Sequence, residues 1–203
     1  KATYPLTEEQ IHNGPPHQSN FGYAYAKRML EVQSRAYRQQ YGSNFITAVP
    51  NNLFGEYDNF DLENGHVIPA IIRKVYEAKQ SGSDIVLWGD GTPLREFTYS
   101  KDLAKILLFL LEKYDRIEPI NVGCTSEYSI KDIATTIADI FDYQGNIIWD
   151  TSKPKGQMRK PSDNSKLLNM GWNKEDYSDF RDSLERTCQW FLNNYPNVRG
   201  MKQ

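Results

Sequence analysis

Tyr23 and Lys27 are the two residues whose types and spacing most directly suggest chemistry, because they stand four positions apart in the stretch from Phe21 to Tyr41. That stretch is rich in helix-forming residues and contains no proline, so it predicts a helix. Residues i and i+4 of a helix lie one above the other on the same face, which would bring the Lys27 ammonium close to the Tyr23 phenol. A neighbouring positive charge favours the phenolate form of a tyrosine, which can then exchange a proton with a sugar hydroxyl or carbonyl. The alternative is a chance pair on a solvated helix face, since the chain contains 13 tyrosines.

The elements that must position this pair follow from the periodicity of the apolar residues. The Tyr23 helix is predicted over residues 21–40, and Gly42 is expected to end it. Strands are predicted over residues 44–49, 84–88, 95–99, 119–122 and 146–149, and further helices over residues 67–80, 100–113, 129–141, 163–170 and 178–193. Residues 1–20, 51–65 and 150–161 are predicted as loops. Strands that alternate with helices indicate an α/β fold with a mostly parallel sheet.

Composition indicates a globular protein whose net charge is too small to produce a strong electrostatic field. The chain has 203 residues, of which 39% are hydrophobic and 25% charged, and its formal net charge is −2. Such a balance offers no general attraction for nucleic acid or an anionic membrane surface. No apolar run approaches the roughly 20 residues that a membrane-spanning helix needs, and the polar opening decapeptide predicts no signal peptide.

The cysteines and histidines predict neither a disulfide framework nor a metal site. Only Cys124 and Cys188 are present, with three histidines, and the sequence contains no CxxC or HxxxH pair. A reduced, cytoplasmic setting is therefore expected. Because the chain does not begin with Met, we also expect it to be part of a longer protein.

Several further motifs extend the Tyr23/Lys27 element into a family resemblance. They are the segments Pro50-Asn51-Asn52-Leu53-Phe54-Gly55, Asp58-Asn59-Phe60, Gly65-His66-Val67-Ile68-Pro69, and Trp88-Gly89-Asp90-Gly91 leading to Arg95-Glu96-Phe97. Together they resemble an extended short-chain dehydrogenase/reductase, and specifically the members that epimerise and reduce a GDP-linked keto sugar. The resemblance covers essentially the whole chain. The Tyr/Lys element is common to the superfamily, whereas the segments around Asp58 and His66 are particular to those members.

The resemblance implies the C-terminal part of a Rossmann-type fold with a smaller α/β substrate-binding domain. Residues 1–50 and 95–122 would complete the dinucleotide-binding domain, and residues 51–94 and 123–203 would form the nucleotide-sugar domain. The family holds the cofactor pyrophosphate in a glycine-rich turn, and no GxGxxG or GxxGxxG occurs here. Its catalytic Ser and Cys lie before the Tyr, where neither Cys124 nor Cys188 stands. The chain alone is therefore expected to be inactive.

The resemblance also implies roles for individual residues in an NADP(H)-dependent reaction. Tyr23 would be the general acid at the sugar C4 oxygen, and Lys27 would hold the nicotinamide ribose. His66 would be the acid that returns protons during epimerisation, a role that suits an imidazole near neutral pH. The cofactor would be bound by Tyr23, Lys27, Pro50, Asn51, Asn52, Leu53 and His66, and the GDP-sugar by Lys74, Trp88, Arg95 and Asp163. A homodimer is implied for the complete enzyme.

Each of these assignments has a structural alternative. His66 could simply cap the helix that begins at Val67, Trp88 could be a core aromatic at the end of a strand, and residues 50–53 could form an ordinary turn. At the level of function, the alternatives are a nucleotide-sugar 4-epimerase or 4,6-dehydratase, or a non-catalytic binding or dimerisation module. His66 distinguishes the expected epimerase/reductase from a 4-epimerase or a 4,6-dehydratase, because those two enzymes need no paired acid and base at C3 and C5.

Overall fold

A computed structural model describes residues 3–153 and 156–201. The helices are α1 (Phe21–Tyr41), α2 (Val67–Ser81), α3 (Ser100–Lys113), α4 (Ile130–Ile140), α5 (Ser165–Asn169) and α6 (Phe180–Asn194). The strands are β1 (Ala48–Pro50), β2 (Asn52–Phe54), β3 (Ile85–Trp88), β4 (Leu94–Tyr99), β5 (Ile120–Val122), β6 (Glu127–Ser129) and β7 (Ile147–Asp150). Single 3₁₀ turns lie at Glu8–Gln10, Gln18–Asn20 and Lys174–Asp176.

Strand pairing confirms the predicted α/β class with mostly parallel strands. Strand β1 pairs with β5, β2 with β4, and β3 with β7, all in parallel. Among the strands of the described residues, only β6 runs antiparallel, against the first half of β4. The predicted helices also form, and Gly42 ends α1 in the left-handed conformation (φ 67°) with its N–H bonded to the Arg38 carbonyl.

The chain forms two compact units. The first comprises residues 1–51, 102–125 and 160–177, and the second comprises residues 52–101, 126–159 and 178–203. The core of the first unit is built by α3, β5, α5 and the residues after α5, with the buried side chains Ile106, Leu110, Tyr114, Ile120, Val122, Leu167 and Trp172. In the second unit, α4 packs against α2 and α6. Helix α4 begins with the predicted capping box of Ser129 and Asp132.

The expected domain boundaries differ from these units mainly in two segments, residues 95–101 and 160–177. Residues 95–101 group with the second unit because β4 is the central strand of the sheet β2-β4-β6. Residues 160–177 group with the first unit because the Asn121 side chain donates to the Asp163 carbonyl (3.0 Å) and Leu6 donates to the Pro161 carbonyl (2.8 Å). The assignment of one group to the cofactor and the other to the substrate stays a prediction.

Three short strands also differ from the sequence-based expectation. Strand β1 begins at Ala48 instead of Asn44, because β5 pairs with it over three residues only. The strand is half-buried at Ala48 and Val49 and exposed at Pro50. Strand β2 lies where a loop is predicted, and β6 was not predicted at all. Both form by pairing with β4, and a three-residue strand carries too little local pattern to be recognised without its partner.

No helix within residues 3–153 and 156–201 is long and apolar enough to cross a bilayer. Across the same residues, no group of three or more His, Cys, Asp or Glu side chains could hold a metal ion.

Candidate active site

Helix α1 presents Tyr23 and Lys27 together, as their spacing predicts. The Lys27 Nζ lies 5.6 Å from the centroid of the Tyr23 ring, and the Tyr23 side chain is 68% exposed. The phenol and the ammonium therefore face outward from the first unit as neighbouring groups. This arrangement suits an exposed proton donor with a cation beside it.

A buried carboxylate fixes α1 in the first unit. Glu31 is 1% exposed, and its carboxylate contacts Arg35 one turn along the helix and the His12 Nε2 at 2.6 Å. Burial alone would raise the pKa of Glu31, but the hydrogen bonds from Arg35 and His12 outweigh it and hold this pKa below its usual value. Further along the helix, Arg38 forms an ion pair with Asp115 (2.6 Å). The helix that carries Tyr23 is thus tied to the unit by charged contacts.

Pro50 and Asn51 lie at the carboxyl end of β1. The Asn51 backbone N–H donates to the Val122 carbonyl (3.3 Å), and its side-chain amide donates to the Cys124 carbonyl (2.8 Å). These bonds tie the carboxyl ends of the parallel strands β1 and β5 together. Ligands in open α/β sheets bind at such an edge.

The second unit contains a cavity of about 370 Å³ that brings together five of the predicted site residues, Asn52, Leu53, His66, Trp88 and Arg95. Val67, Pro93, Phe97 and Ile130 complete its lining. The mixture of an indole, a guanidinium, an imidazole and apolar walls is typical of pockets for small polar ligands.

Trp88 lines this cavity as the last residue of β3. The strand alternates in burial, with Ile85 and Leu87 buried and Val86 and Trp88 exposed. Trp88 is 66% exposed, which excludes the alternative of a core aromatic. Its indole face is therefore accessible to a ligand.

Arg95 lies on β4, where the antiparallel partner strand and a later loop hold it. Its register partner on β6 is Tyr128, and its Nη1 donates to the Leu94 carbonyl (2.7 Å). The Leu94 N–H in turn donates to the Met158 carbonyl (2.8 Å), which lays the loop after β7 along this edge of β4. The guanidinium thus sits in the cavity wall with a fixed backbone.

His66 is the N-cap residue of α2, but its side chain makes no capping hydrogen bond. The alternative of a purely capping histidine is therefore not supported. The His66 side chain is 78% exposed and lines the cavity, and its Nδ1 lies 3.6 Å from the Asp58 Oδ1. An imidazole in this position can exchange protons with a ligand in the cavity.

Lys153 was missed by the sequence-based analysis. Its Nζ lies 5.8 Å from the centroid of the Trp88 ring, so a second cation stands beside the exposed indole. Lys153 follows β7, and the pairing of β3 with β7 sets Trp88 opposite Asp150. Only the lysine-rich loop composition could have suggested this residue, because its proximity to Trp88 depends on a pairing between distant segments.

Lys74 and Asp163 do not line this cavity. The Lys74 Nζ donates to the Val86 carbonyl (2.8 Å), and burial lowers the pKa of Lys74. The Asp163 Oδ1 accepts the backbone N–H of Ser165 (2.8 Å) at the start of α5, and hydrogen bonds from the side chain and then the backbone of Ser165 hold the pKa of Asp163 below its usual range. Their assignment as substrate ligands stays a prediction.

The fold and the paired tyrosine and lysine define an α/β protein of the short-chain dehydrogenase type. Residues 1–123 match the NAD dependent epimerase/dehydratase family, and the chain belongs to that family. Among curated relatives, GDP-L-fucose synthase of Dictyostelium discoideum is 43% identical over 201 residues, covering 98% of this chain and 62% of the relative. A probable GDP-L-fucose synthase of Drosophila melanogaster is 36% identical over 210 residues, covering 98% of this chain and 64% of the relative.

A solved structure shows the same fold. The crystal structure of a GDP-L-fucose synthetase from Naegleria fowleri bound to NADP is 44% identical to this chain, with a TM-score of 0.94. The match covers 98% of this chain and 64% of that structure. The chain thus spans somewhat less than two thirds of the length of these relatives.

Proposed function

We propose that the protein carrying this chain is a GDP-L-fucose synthase, which converts GDP-4-dehydro-6-deoxy-D-mannose to GDP-L-fucose by epimerisation at C3 and C5 and reduction at C4 with NADPH. The observation that carries this proposal is the single cavity lined by His66, Trp88 and Arg95. The names of the Dictyostelium and Drosophila relatives support the choice of substrate.

The cavity suits the nucleotide diphosphate part of the substrate. Guanidinium and ammonium groups bind phosphate oxygens through charge-assisted hydrogen bonds; Arg95 supplies the first in the cavity wall, and Lys153 supplies the second beside Trp88, outside the lining itself. The exposed face of Trp88 offers a packing surface for the nucleotide. We propose these three residues as the principal GDP-binding groups, with Lys74 and Asp163 as additional ligands outside the cavity.

The residues that would hold the cofactor fit its nicotinamide end. Tyr23 and Lys27 present a hydroxyl and an ammonium side by side, a donor set that suits the hydroxyls of a ribose. Pro50 and Asn51, at the carboxyl ends of β1 and β5, and Asn52, Leu53 and His66 complete the proposed set. When bound, NADPH supplies the hydride that reduces C4. The name of the NADP-bound Naegleria structure supports the choice of cofactor.

The side chains of this chain would then move the protons. The C4 ketone acidifies the protons at C3 and C5, so that each can be removed from one face and returned on the other. We propose His66 as the acid that returns them and Tyr23 as the acid that protonates the C4 oxygen during reduction. Lys27 would stabilise the phenolate that remains on Tyr23.

We further propose that the complete protein is a cytoplasmic homodimer, in which residues of the first unit supply most of the cofactor contacts and residues of the second unit most of the substrate contacts. Apolar side chains exposed on α1 support the dimer, among them Met29 (59%), Leu30 (53%) and Val32 (44%). Within the described residues, Cys124 and Cys188 form no disulfide, which agrees with a reducing compartment. Light scattering of the complete protein would establish the oligomeric state.

The function is tested with the protein at its full encoded length. It is incubated with GDP-4-dehydro-6-deoxy-D-mannose and NADPH, and the sugar product is analysed by NMR. We expect consumption of NADPH and formation of GDP-L-fucose. A product reduced at C4 without inversion at C3 and C5 would indicate a simple reductase. Absence of any turnover, with GDP binding retained, would favour the non-catalytic module.

A further inference from the structure

Asp58 lies beside His66 and is not part of the cavity lining. The distance between Asp58 Oδ1 and His66 Nδ1 is 3.6 Å, and the Asp58 side chain is only 17% exposed, against 78% for His66. Asp58 is not among the residues that line the cavity. The carboxylate is therefore close to a ring nitrogen of His66 without itself lining the cavity.

The backbone around both residues is held by the second unit. The Asp58 Oδ1 also accepts the Asn59 N–H (2.7 Å), and the following residue, Phe60, is bound at both backbone groups: its N–H donates to the Arg199 carbonyl (2.9 Å) and its carbonyl accepts from Arg73 Nη1 (3.1 Å). His66 is fixed at its carbonyl, which accepts the Ala70 N–H (3.1 Å) in the first turn of α2. The relative placement of Asp58 and His66 is thus determined by the fold.

We propose that Asp58 is a positioning residue for His66, holding the imidazole with its proton on Nδ1 and with Nε2 directed to the ligand. The hydrogen bond made by one ring nitrogen sets the protonation of the other. The inference rests on the proposed function, in which His66 is an acid. A separation of 3.6 Å exceeds a hydrogen bond, and contacts of catalytic groups commonly shorten when the substrate binds.

The proton transfer balances with this arrangement. The doubly protonated imidazole gives its Nε2 proton to carbon, and the electron pair of the sugar enolate forms the new C–H bond. The imidazole that remains is neutral, with its proton on Nδ1 facing Asp58. Asp58 neither gains nor loses a proton in this step, and no oxidant or reductant is needed.

The arrangement is tested first on this chain, without substrate or cofactor. The ¹⁵N shifts of the imidazole nitrogens identify the tautomer of each neutral histidine, and loss of one set of signals in His66→Asn assigns His66. We expect the Nδ1–H tautomer in the wild type and a shift toward Nε2–H in Asp58→Asn. Asp61→Asn is the matched control, because the Asp61 Oδ1 accepts backbone N–H groups of Glu63 and Asn64 in the same loop.

Two results would overturn the proposal: a wild-type His66 already in the Nε2–H form, or equal tautomer changes in Asp58→Asn and Asp61→Asn. The wild-type spectrum, assigned with His66→Asn, decides the first point even if Asp58→Asn fails to fold. In the protein at full encoded length, we expect Asp58→Asn to slow inversion at C3 and C5 by about 10- to 100-fold, the range for carboxylates that orient functional histidines. An unchanged inversion rate in Asp58→Asn, while His66→Asn is impaired, would refute the positioning role of Asp58 but not the role of His66 as the acid. An unchanged rate in His66→Asn would instead refute the proposed function of His66.

Discussion

Tyr23 and Tyr25 allow a matched test of the proposed acid, since both are exposed tyrosines on α1. Two positions along a helix turn the side chain to a different face, and only Tyr23 has Lys27 beside it. In the protein at full encoded length, Tyr23→Phe is expected to slow reduction at C4 by about 10²- to 10⁴-fold, the usual contribution of a general acid. The rate is measured from NADPH absorbance at saturating substrate. Tyr25→Phe should remain near the wild-type rate, and an equally active Tyr23→Phe would refute the role of Tyr23.

A comparison of Lys153 with Lys74 tests whether GDP binds beside Trp88 or further from the cavity. The Lys153 ammonium stands over Trp88, whereas the Lys74 ammonium donates to the Val86 carbonyl. We expect Lys153→Gln to weaken GDP binding to this chain about 5-fold, the effect of losing a contact worth about 1 kcal/mol. Lys74→Gln should change it much less. Isothermal titration calorimetry measures both, and a larger loss in Lys74→Gln would show that the cavity does not hold the diphosphate.

At the scale of single residues, the sequence predicted those features that depend on local spacing. Tyr23 and Lys27 meet because four residues make about one helical turn. Lys153 reaches Trp88 only through the pairing of β3 with β7, and no local pattern encodes which strands become neighbours. The resemblance supplied His66, Trp88 and Arg95 as candidates, and the structure adds that they line one cavity.

At the scale of elements, Gly65 determines how the chain enters α2. A Cβ on this residue would come closer than 3.0 Å to the carbonyl oxygens of Asp61 and Asn59. Gly65→Ala should therefore distort the loop before His66 and lower the free energy of unfolding by about 1–3 kcal/mol. Gly22→Ala is the control, because a Cβ there meets nothing within 4 Å and alanine favours a helix. Urea denaturation of this chain measures both; a neutral Gly65→Ala would contradict the loop geometry.

Glu31 links α1 to the first unit in a way that depends on pH. Because its folded pKa lies below the ordinary value of 4.5, its contribution is fully present above about pH 4.5 and is lost as the pH falls through the folded value. Glu31→Gln should lower the free energy of unfolding by about 1–3 kcal/mol near pH 7, since a buried charged hydrogen bond is lost. The difference should become smaller as the pH falls below 4.5. Urea denaturation over a series of pH values measures it, and a difference that does not change with pH would show that the Glu31 charge does not stabilise α1.

The long elements were predictable because their signals are local and repeated. Helix α4 shows both a capping box and apolar residues at helical spacing, and α2 shows a clear apolar face. The three-residue strands β2 and β6 carry no comparable pattern. Both depend on β4, which pairs with them over three residues each, so they become visible only with the tertiary structure.

At the scale of the whole chain, the sequence separates into two units whose segments alternate along it. Composition and periodicity predicted the α/β class but contained no linker that marks this division. The boundaries expected from the resemblance group residues 95–101 and 160–177 differently from the two units, in which strand pairing and the bonds of Asn121 determine the grouping. The proposed reaction uses Tyr23 of the first unit and His66 of the second unit, and it therefore requires both units.

The most direct test of the account is the labelling pattern produced by His66→Asn in deuterated water. The complete variant is supplied with GDP-4-dehydro-6-deoxy-D-mannose and NADPH, and the sugar product is analysed by NMR. If His66 returns protons to C3 and C5, inversion should slow by about 10²- to 10⁴-fold while Tyr23 still supports reduction at C4. The product should then be mainly unepimerised or singly epimerised GDP-6-deoxyhexose, with little deuterium-labelled GDP-L-fucose. Fully epimerised, labelled GDP-L-fucose formed at the wild-type rate would contradict the assignment of His66 and with it the proposed reaction of this cavity.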